Sequence, residues 1–136
     1  MKPAIYKVMV LAALLAIPAA LYAQSGSARF NVPFAFIVNG ETLPAGGYLV
    51  EVQFLNVIGF RRDDGKASLF AVASSQEQRR VTLSSKLVFR QYGDQYFLAE
   101  AQFLGTDSAR AFRQGKREIQ VASAYEHPAI IETAGK

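Results

Sequence analysis

Phe30, Val32, Phe34, Phe36 and Val38 place an apolar side chain at every second position. That period sends one set of side chains to a single side of an extended chain, so it predicts a β-strand with one buried face. The same pattern returns at Tyr48, Val50, Val52 and Phe54, with Leu49, Glu51 and Gln53 between them. Tyr96–Leu104 repeats it again, with Phe97, Ala99, Ala101 and Phe103 on one face. Pro33 interrupts the first run. It has no N–H to give to a ladder, so this strand is expected at an edge or bulged there.

The punctuation between the runs is turn chemistry. Asn39-Gly40 is a two-residue hairpin signal, and Asp63-Asp64-Gly65-Lys66 and Gly93-Asp94 are two more turns. Pro44-Ala45-Gly46-Gly47 has the look of a phosphate-cradling loop. Such a loop follows a strand and opens a helix. Here the glycines open a strand and no Lys-Ser/Thr follows, so the stretch is read as a β-corner. Strands are further expected at Asn56–Arg62, with Gly59 a bulge or close-approach point, at Ala67–Ser74 and at Lys86–Tyr92. Ser75–Ser85 is polar and reads as a long connection or a frayed edge. Lys116–Tyr125 fits both periods; a short helix is favoured, because acidic Glu118 falls in its first turn. The fold class that results is all-β, a small antiparallel barrel or sandwich of about six to seven strands with a short C-terminal helix.

The N-terminal segment has a different character. Lys2 and Lys7 precede an uncharged apolar run, Val8–Ile17, followed by Pro18 and small residues up to Ala23. This is the layout of a secretory signal peptide over 1–23, cleaved after Ala23, although Leu21 is larger than ideal three residues before the cut. An uncleaved anchor is the alternative, but the run falls short of the ~20 residues a span needs. The remainder divides into one β-domain, 24–125, and a loosely ordered tail, 126–136. The destination is exported, periplasmic or extracellular, with membrane contact only through the signal segment. The chain has no cysteine, so no lipid-modified cysteine follows the leader and no disulfide staples the domain.

Charge excludes little and supports little. The net charge of +4 falls once Lys2 and Lys7 are removed, to 13 basic against 11 acidic residues. Nucleic-acid binding needs clustered basic residues, and none is evident, so no nucleic-acid partner is expected. Catalytic chemistry is poorly supplied. His127, the single histidine, sits beside Pro128 and reads as a solvated residue rather than a general base or a metal ligand. Asp63-Asp64 reads as a turn rather than a calcium site, because no ligand spacing supports it. Glu51 and Glu100 are the two carboxylates a hydrolase would use, and both read as solvent-facing strand residues. Arg61-Arg62 and Arg79-Arg80 read as edge protection, since neighbours in a strand point to opposite faces. No cofactor and no metal site is expected, and the chain is read as not an enzyme.

One stretch has the composition of a contact surface. Arg90, Tyr92, Asp94 and Tyr96 surround the turn at Gly93, and tyrosine with arginine is common in binding surfaces. The structural alternative is a tyrosine-bracketed turn with Arg90 paired to an acid such as Glu100. The leading function is therefore a non-enzymatic cell-envelope protein acting on an unidentified envelope protein or surface. The alternatives are a carrier holding a small apolar ligand inside a barrel, which ten phenylalanines would suit, and a carboxylate-dependent hydrolase.

Two segments also resemble a known family. Phe30-Asn31-Val32-Pro33-Phe34-Ala35-Phe36 with Leu43-Pro44-Ala45-Gly46-Gly47-Tyr48-Leu49-Val50-Glu51 is similar to the first hairpin of a family of small exported bacterial proteins. Lys86–Ala99, with Leu87-Val88-Phe89 and Tyr92-Gly93-Asp94-Gln95-Tyr96-Phe97-Leu98-Ala99, is similar to its second signature. The likeness spans about residues 30–124. It implies an exported all-β domain; the family is uncharacterised, so it transfers no catalytic or binding residue.

Overall fold

The computed structural model describes residues 26–136 except Arg79. The signal-peptide reading of 1–23 and one member of the Arg79-Arg80 pair therefore lie outside the described residues. The described chain folds into two β-sheets and one short helix, an all-β sandwich with no closed barrel.

Sheet I contains β1 (Ser27–Val32), β4 (Gly46–Phe54), β5 (Val57–Arg62) and β6 (Ser68–Val72), paired in that order and antiparallel throughout. Sheet II contains β7 (Ser74–Glu77), β8 (Lys86–Tyr92), β9 (Gln95–Gln102), β10 (Ser108–Ala111) and β11 (Ala129–Ala134), in the order β11-β8-β9-β10-β7. The hairpin β2 (Phe36–Val38) and β3 (Glu41–Leu43) joins sheet II by a parallel bridge from Ile37 to Phe97. The helix α1 spans Lys116–Ala122.

Eleven strands form among the described residues where six to seven were expected: β3, β10 and β11 are additions, and two more arise by division. Two of the predicted strands each change sheets partway. The run from Phe30 to Val38 breaks after Val32, next to Pro33, so β1 enters sheet I and β2 enters sheet II. The run from Ala67 to Ser74 is divided by buried Ala73, which separates β6 of sheet I from β7 of sheet II. Part of the polar stretch 75–85 thus forms the edge strand β7 rather than a pure connection.

Turn chemistry lands where the residues demand it. Asn39 and Gly40 take φ of 49° and 79°. A two-residue hairpin requires two such positive values, here between Val38 and Glu41. The Pro44–Gly47 stretch is a corner leading into β4. The Tyr48 side chain is fully buried, and its hydroxyl donates to the Pro44 carbonyl at 2.5 Å, while Arg62 donates to Ala45 at 3.1 Å. Burial raises the Tyr48 phenol above its ordinary pKa; the Arg62 charge opposes this and Asp64 adds to it. Gly59 is a close-approach point, since a Cβ there would lie 2.7 Å from the Gln53 amide. The bulge in this region falls instead between Val52 and Phe54 on β4.

The inner faces meet in one main core. Phe30, Val32, Tyr48, Val50, Ile58 and Phe60 of sheet I pack with Phe36, Leu87, Phe89, Leu98, Ala101 and Phe103 across the gap. Phe36 lies edge-on to both Tyr48 and Phe89, with ring centroids 5.4 Å apart in each case. That arrangement favours aromatic pairs beyond their buried area. The alternation predicted for β9 does not persist. A register shift opposite Val88/Phe89 leaves Ala99 as an extra residue, so Leu98 and Ala101 both reach the main core while Phe97 turns to the other face. There Phe97, Tyr92 and Ile37 form a second small cluster with Val121 and Ala122 of α1.

The tail corrects an expectation. Residues 126–136, expected to be loosely ordered, contain β11, which pairs with β8 from Ala129↔Gln91 to Ala134↔Lys86. Beyond it, Lys136 and Arg29 exchange backbone hydrogen bonds of 3.1 and 2.9 Å, and Gly135 donates to Ser85 at 2.8 Å. The C-terminus therefore ties the edge of sheet I to the start of β8.

Candidate functional site

The turn between β8 and β9 was the sequence-based candidate, and the structure divides its four residues among three environments. Arg90 and Tyr92 alternate on the face of β8 that α1 covers. Tyr96 lies on the opposite side, stacked on Phe34 with ring centroids 3.8 Å apart. Its hydroxyl accepts from the Gln91 amide at 3.1 Å. Asp94 is exposed at the turn, where Gly93 takes a φ of 61°.

Arg90 pairs with Glu118 of α1, not with Glu100. Its Nε donates to Glu118 Oε2 at 2.5 Å and a terminal nitrogen donates to Oε1 at 3.0 Å. The Tyr92 hydroxyl donates to the same Oε2 at 3.0 Å, and the Gln114 amide adds a bond of 3.1 Å. Glu118 is only 2% exposed. Its charge is tolerable there because these donors replace its water. Desolvation alone would lower the Arg90 pKa, but the hydrogen bonds and charge of Glu118 outweigh it and hold it above its ordinary value. Burial, then the bond to Glu118, pushes the Tyr92 phenol up. A seven-residue helix is marginal on its own. This node of donors, with Val121 and Ala122 packed on Tyr92 and Phe97, is what fixes it to the sheet. The sequence placed Glu118 in the first turn, but its spacing from Arg90 gave no sign that it would be buried.

The other candidate residues are scattered. Glu51 lies on the outer side of sheet I, bonded to Gln53, and Glu100 on the outer side of sheet II, bonded to Gln102. The sandwich separates the two carboxylates. Asp63 pairs with Arg29 at 2.9 Å, and Asp64 accepts the Lys66 N–H at 2.9 Å, as a turn residue does. His127 is exposed. Arg61 points outward and Arg62 lies half-buried against the corner at Ala45. Among the described residues no group of three or more carboxylates and histidines is placed to hold a metal ion.

An exposed apolar face lies apart from all of these residues. Phe54, Leu55, Phe70 and Val72 are 65%, 81%, 70% and 65% exposed. Pairing of Phe54 with Val57, and of Val57 with Val72, makes them a row across the outer side of sheet I. An aromatic side chain carries ~150–250 Å², so the four residues leave on the order of 500 Å² of apolar surface in water, toward the top of what a monomer usually shows. Leu55 is also in the left-handed region at φ 45°. A bulky residue is disfavoured there. The one available sequence signal was that Leu69, Phe70, Ala71 and Val72 are apolar on both faces, where a strand with a solvated side would alternate.

No protein-family model, curated protein or solved structure matches the chain.

Proposed function

We propose that this chain is a non-enzymatic exported protein of the cell envelope that acts through protein contact, and that the contact face is the Phe54–Leu55–Phe70–Val72 end of sheet I. The observation that carries this is Leu55. At two other tight hairpins the chain meets positive φ with residues suited to it, Asn39-Gly40 after β2 and Gly93 after β8. At the β4–β5 tip it places Phe54-Leu55 instead, leaves both in water and accepts an unfavourable backbone conformation for Leu55. A requirement of folding alone would select Asn or Gly there. The aromatic core supports contact over carriage: Phe30, Phe36, Phe60, Phe89 and Phe103 occupy the space between the sheets that an internal ligand would need. The leader-like layout of residues 1–23 supports export.

A photo-activatable residue at position 55, in the full chain expressed in its own host, tests the reading. The expected result is a discrete cross-linked species from the envelope fraction, absent when the same group is placed at exposed Asp107. Retention of the full chain in the cytoplasm, or equal labelling from both positions, would refute it.

A further inference from the structure

We infer that the free edge of β6 is the self-association surface of this protein, pairing antiparallel with β6 of a second copy about a two-fold axis at Phe70. The inference rests on the contact reading above and names its partner.

The two edges of sheet I are treated differently. At the β1 edge, the chain's own C-terminus bonds to Arg29. At the β6 edge, no backbone partner is present among the described residues. The orientation of its free groups follows from the ladder. Arg62 donates to the Ala67 carbonyl and Ala73 donates to the Asn56 carbonyl, so residues 67, 69, 71 and 73 turn their peptide groups toward β5. Ser68, Phe70 and Val72 therefore turn both N–H and C=O outward. Exposed edges are ordinarily protected by charge, proline or a bulge. Ser68-Leu69-Phe70-Ala71-Val72 has no charge and no proline, and its pairing with β5 runs without a register shift.

The second copy fits this edge because the edge is complementary to itself. With Phe70 opposite Phe70, Ser68 of each copy faces Val72 of the other, and the three residues exchange about six hydrogen bonds. The two Phe70 rings meet on the outer face as a cross-strand aromatic pair. The ends of the strand match as well. β6 begins at the turn Asp63-Asp64-Gly65-Lys66 and ends beside a groove of about 520 Å³ lined by Asn56, Val72, Ser74, Phe112 and Arg113. Antiparallel pairing brings each copy's turn to the mouth of the other's groove. The turn carries two half-exposed carboxylates, each also paired within its own chain, Asp63 with Arg29 and Asp64 with Arg62, and Arg113 is exposed with no acidic partner among the described residues. Such closed two-fold pairing also leaves no β6 edge free for a third chain.

Analytical ultracentrifugation of the full chain without its leader, beginning at Gln24, is the test. The expected result is a monomer–dimer equilibrium, with the dissociation constant raised at least ~100-fold by Phe70→Pro. The Phe70 N–H points away from β5, so proline there removes the inter-copy bond and spares the ladder. Its urea midpoint, measured at a concentration where the wild type is also monomeric, checks that the fold survives. Register is tested by disulfide trapping, which the absence of native cysteines makes clean. Ser68→Cys chains mixed with Val72→Cys chains should give the mixed covalent dimer, since directly opposed residues lie within disulfide reach. Arg113→Glu should weaken the dimer in the same assay. A wild-type monomer at millimolar concentration, or a dimer indifferent to Phe70→Pro, overturns the inference. If position 55 still captures a different protein in the envelope, the contact reading stands while self-association fails; if it captures nothing, both fail.

Discussion

Replacing Glu118 by Gln keeps the side chain's volume and removes its charge. One acceptor oxygen becomes a donor, facing an Arg90 guanidinium or a Tyr92 hydroxyl that already donates. Removing one member of a buried ion pair costs ~3–5 kcal/mol, mostly because the other charge stays behind. The Arg90 side chain is 20% exposed against 2% for Glu118, so water relieves part of that penalty. The lower end, about 3 kcal/mol, is therefore expected, which at ~4 °C per kcal/mol is a fall of about 12 °C in Tm. Urea unfolding followed by far-ultraviolet circular dichroism gives the free energy directly. Hydrogen exchange should show α1 opening before the strands, because this node is its main tether. The apolar replacement Arg90→Met/Tyr92→Phe/Glu118→Leu should lie within ~1 kcal/mol of wild type, since a fully replaced buried ionic cluster is often neutral. Exposed Gln114 keeps water as its partner. A Glu118→Gln variant within ~0.5 kcal/mol of wild type, the span of an ordinary surface substitution, would mean that the buried ion pair contributes nothing to stability.

Three further outcomes follow from single contacts. Tyr48 and Tyr92 both have raised pKa values, so the folded state favours their neutral forms. That stability is complete below the unfolded value near ~10 and is lost as pH climbs through the folded values. Tyr92→Phe should flatten this alkaline loss in a urea-midpoint series from about pH 8 to about pH 11 while costing about 1–2 kcal/mol at the lower end; an unchanged alkaline limb would count against it. Gly135→Ala would place a Cβ 2.6 Å from the buried Phe30 ring. Overpacking should then cost about 1–3 kcal/mol, read from the same urea titration. Leu55→Asn should stabilise the isolated domain by about 1 kcal/mol, because Asn tolerates positive φ. Its thermal midpoint should rise, and a lower midpoint would remove the ground for reading Leu55 as kept for contact.

The parts of this fold that were legible in the sequence are those written in local chemistry. β8 follows its predicted limits because Lys86–Tyr92 is bounded by a turn signal and carries its own period. The hairpin at Asn39-Gly40 and the corner before Tyr48 needed only backbone preferences. What stayed hidden depends on residues distant in the chain. Nothing near Ala99 marks it as the bulged residue; the bulge is defined by its pairing across to Val88 and Phe89. Ala129–Ala134 has two apolar neighbours, Ile130 and Ile131, and no clean alternation, so it forms a strand only because β8 offers an edge. The Arg90–Glu118 pair joins a strand to a helix far along the chain, beyond any spacing rule for one helix or one hairpin.

Most of the unpredicted structure serves one end, the joining of edges. The chain closes the β11 side with its own last residues, and Gly135 is small because the Phe30 ring lies against it. It covers the outer side of β8 and β9 with a two-turn helix held by a buried carboxylate. Each of these devices uses residues from far along the chain to finish a sheet boundary. β6 has no such device and is uncharged, and Phe70, the most exposed aromatic among the described residues, lies at its centre. Sheet I completes its β1 boundary from within, at a cost in backbone ordering for every tail residue it immobilises, and leaves its β6 boundary for completion from outside. Contacts that β6 makes within one copy are limited to β5 and the core side of Leu69 and Ala71. Exchange of the Leu69 and Ala71 amides should therefore accelerate as the protein is diluted below its dimer dissociation constant, while those of β8 and β9 stay constant. Protection of β6 that does not change on dilution would show that sheet I is complete without a partner.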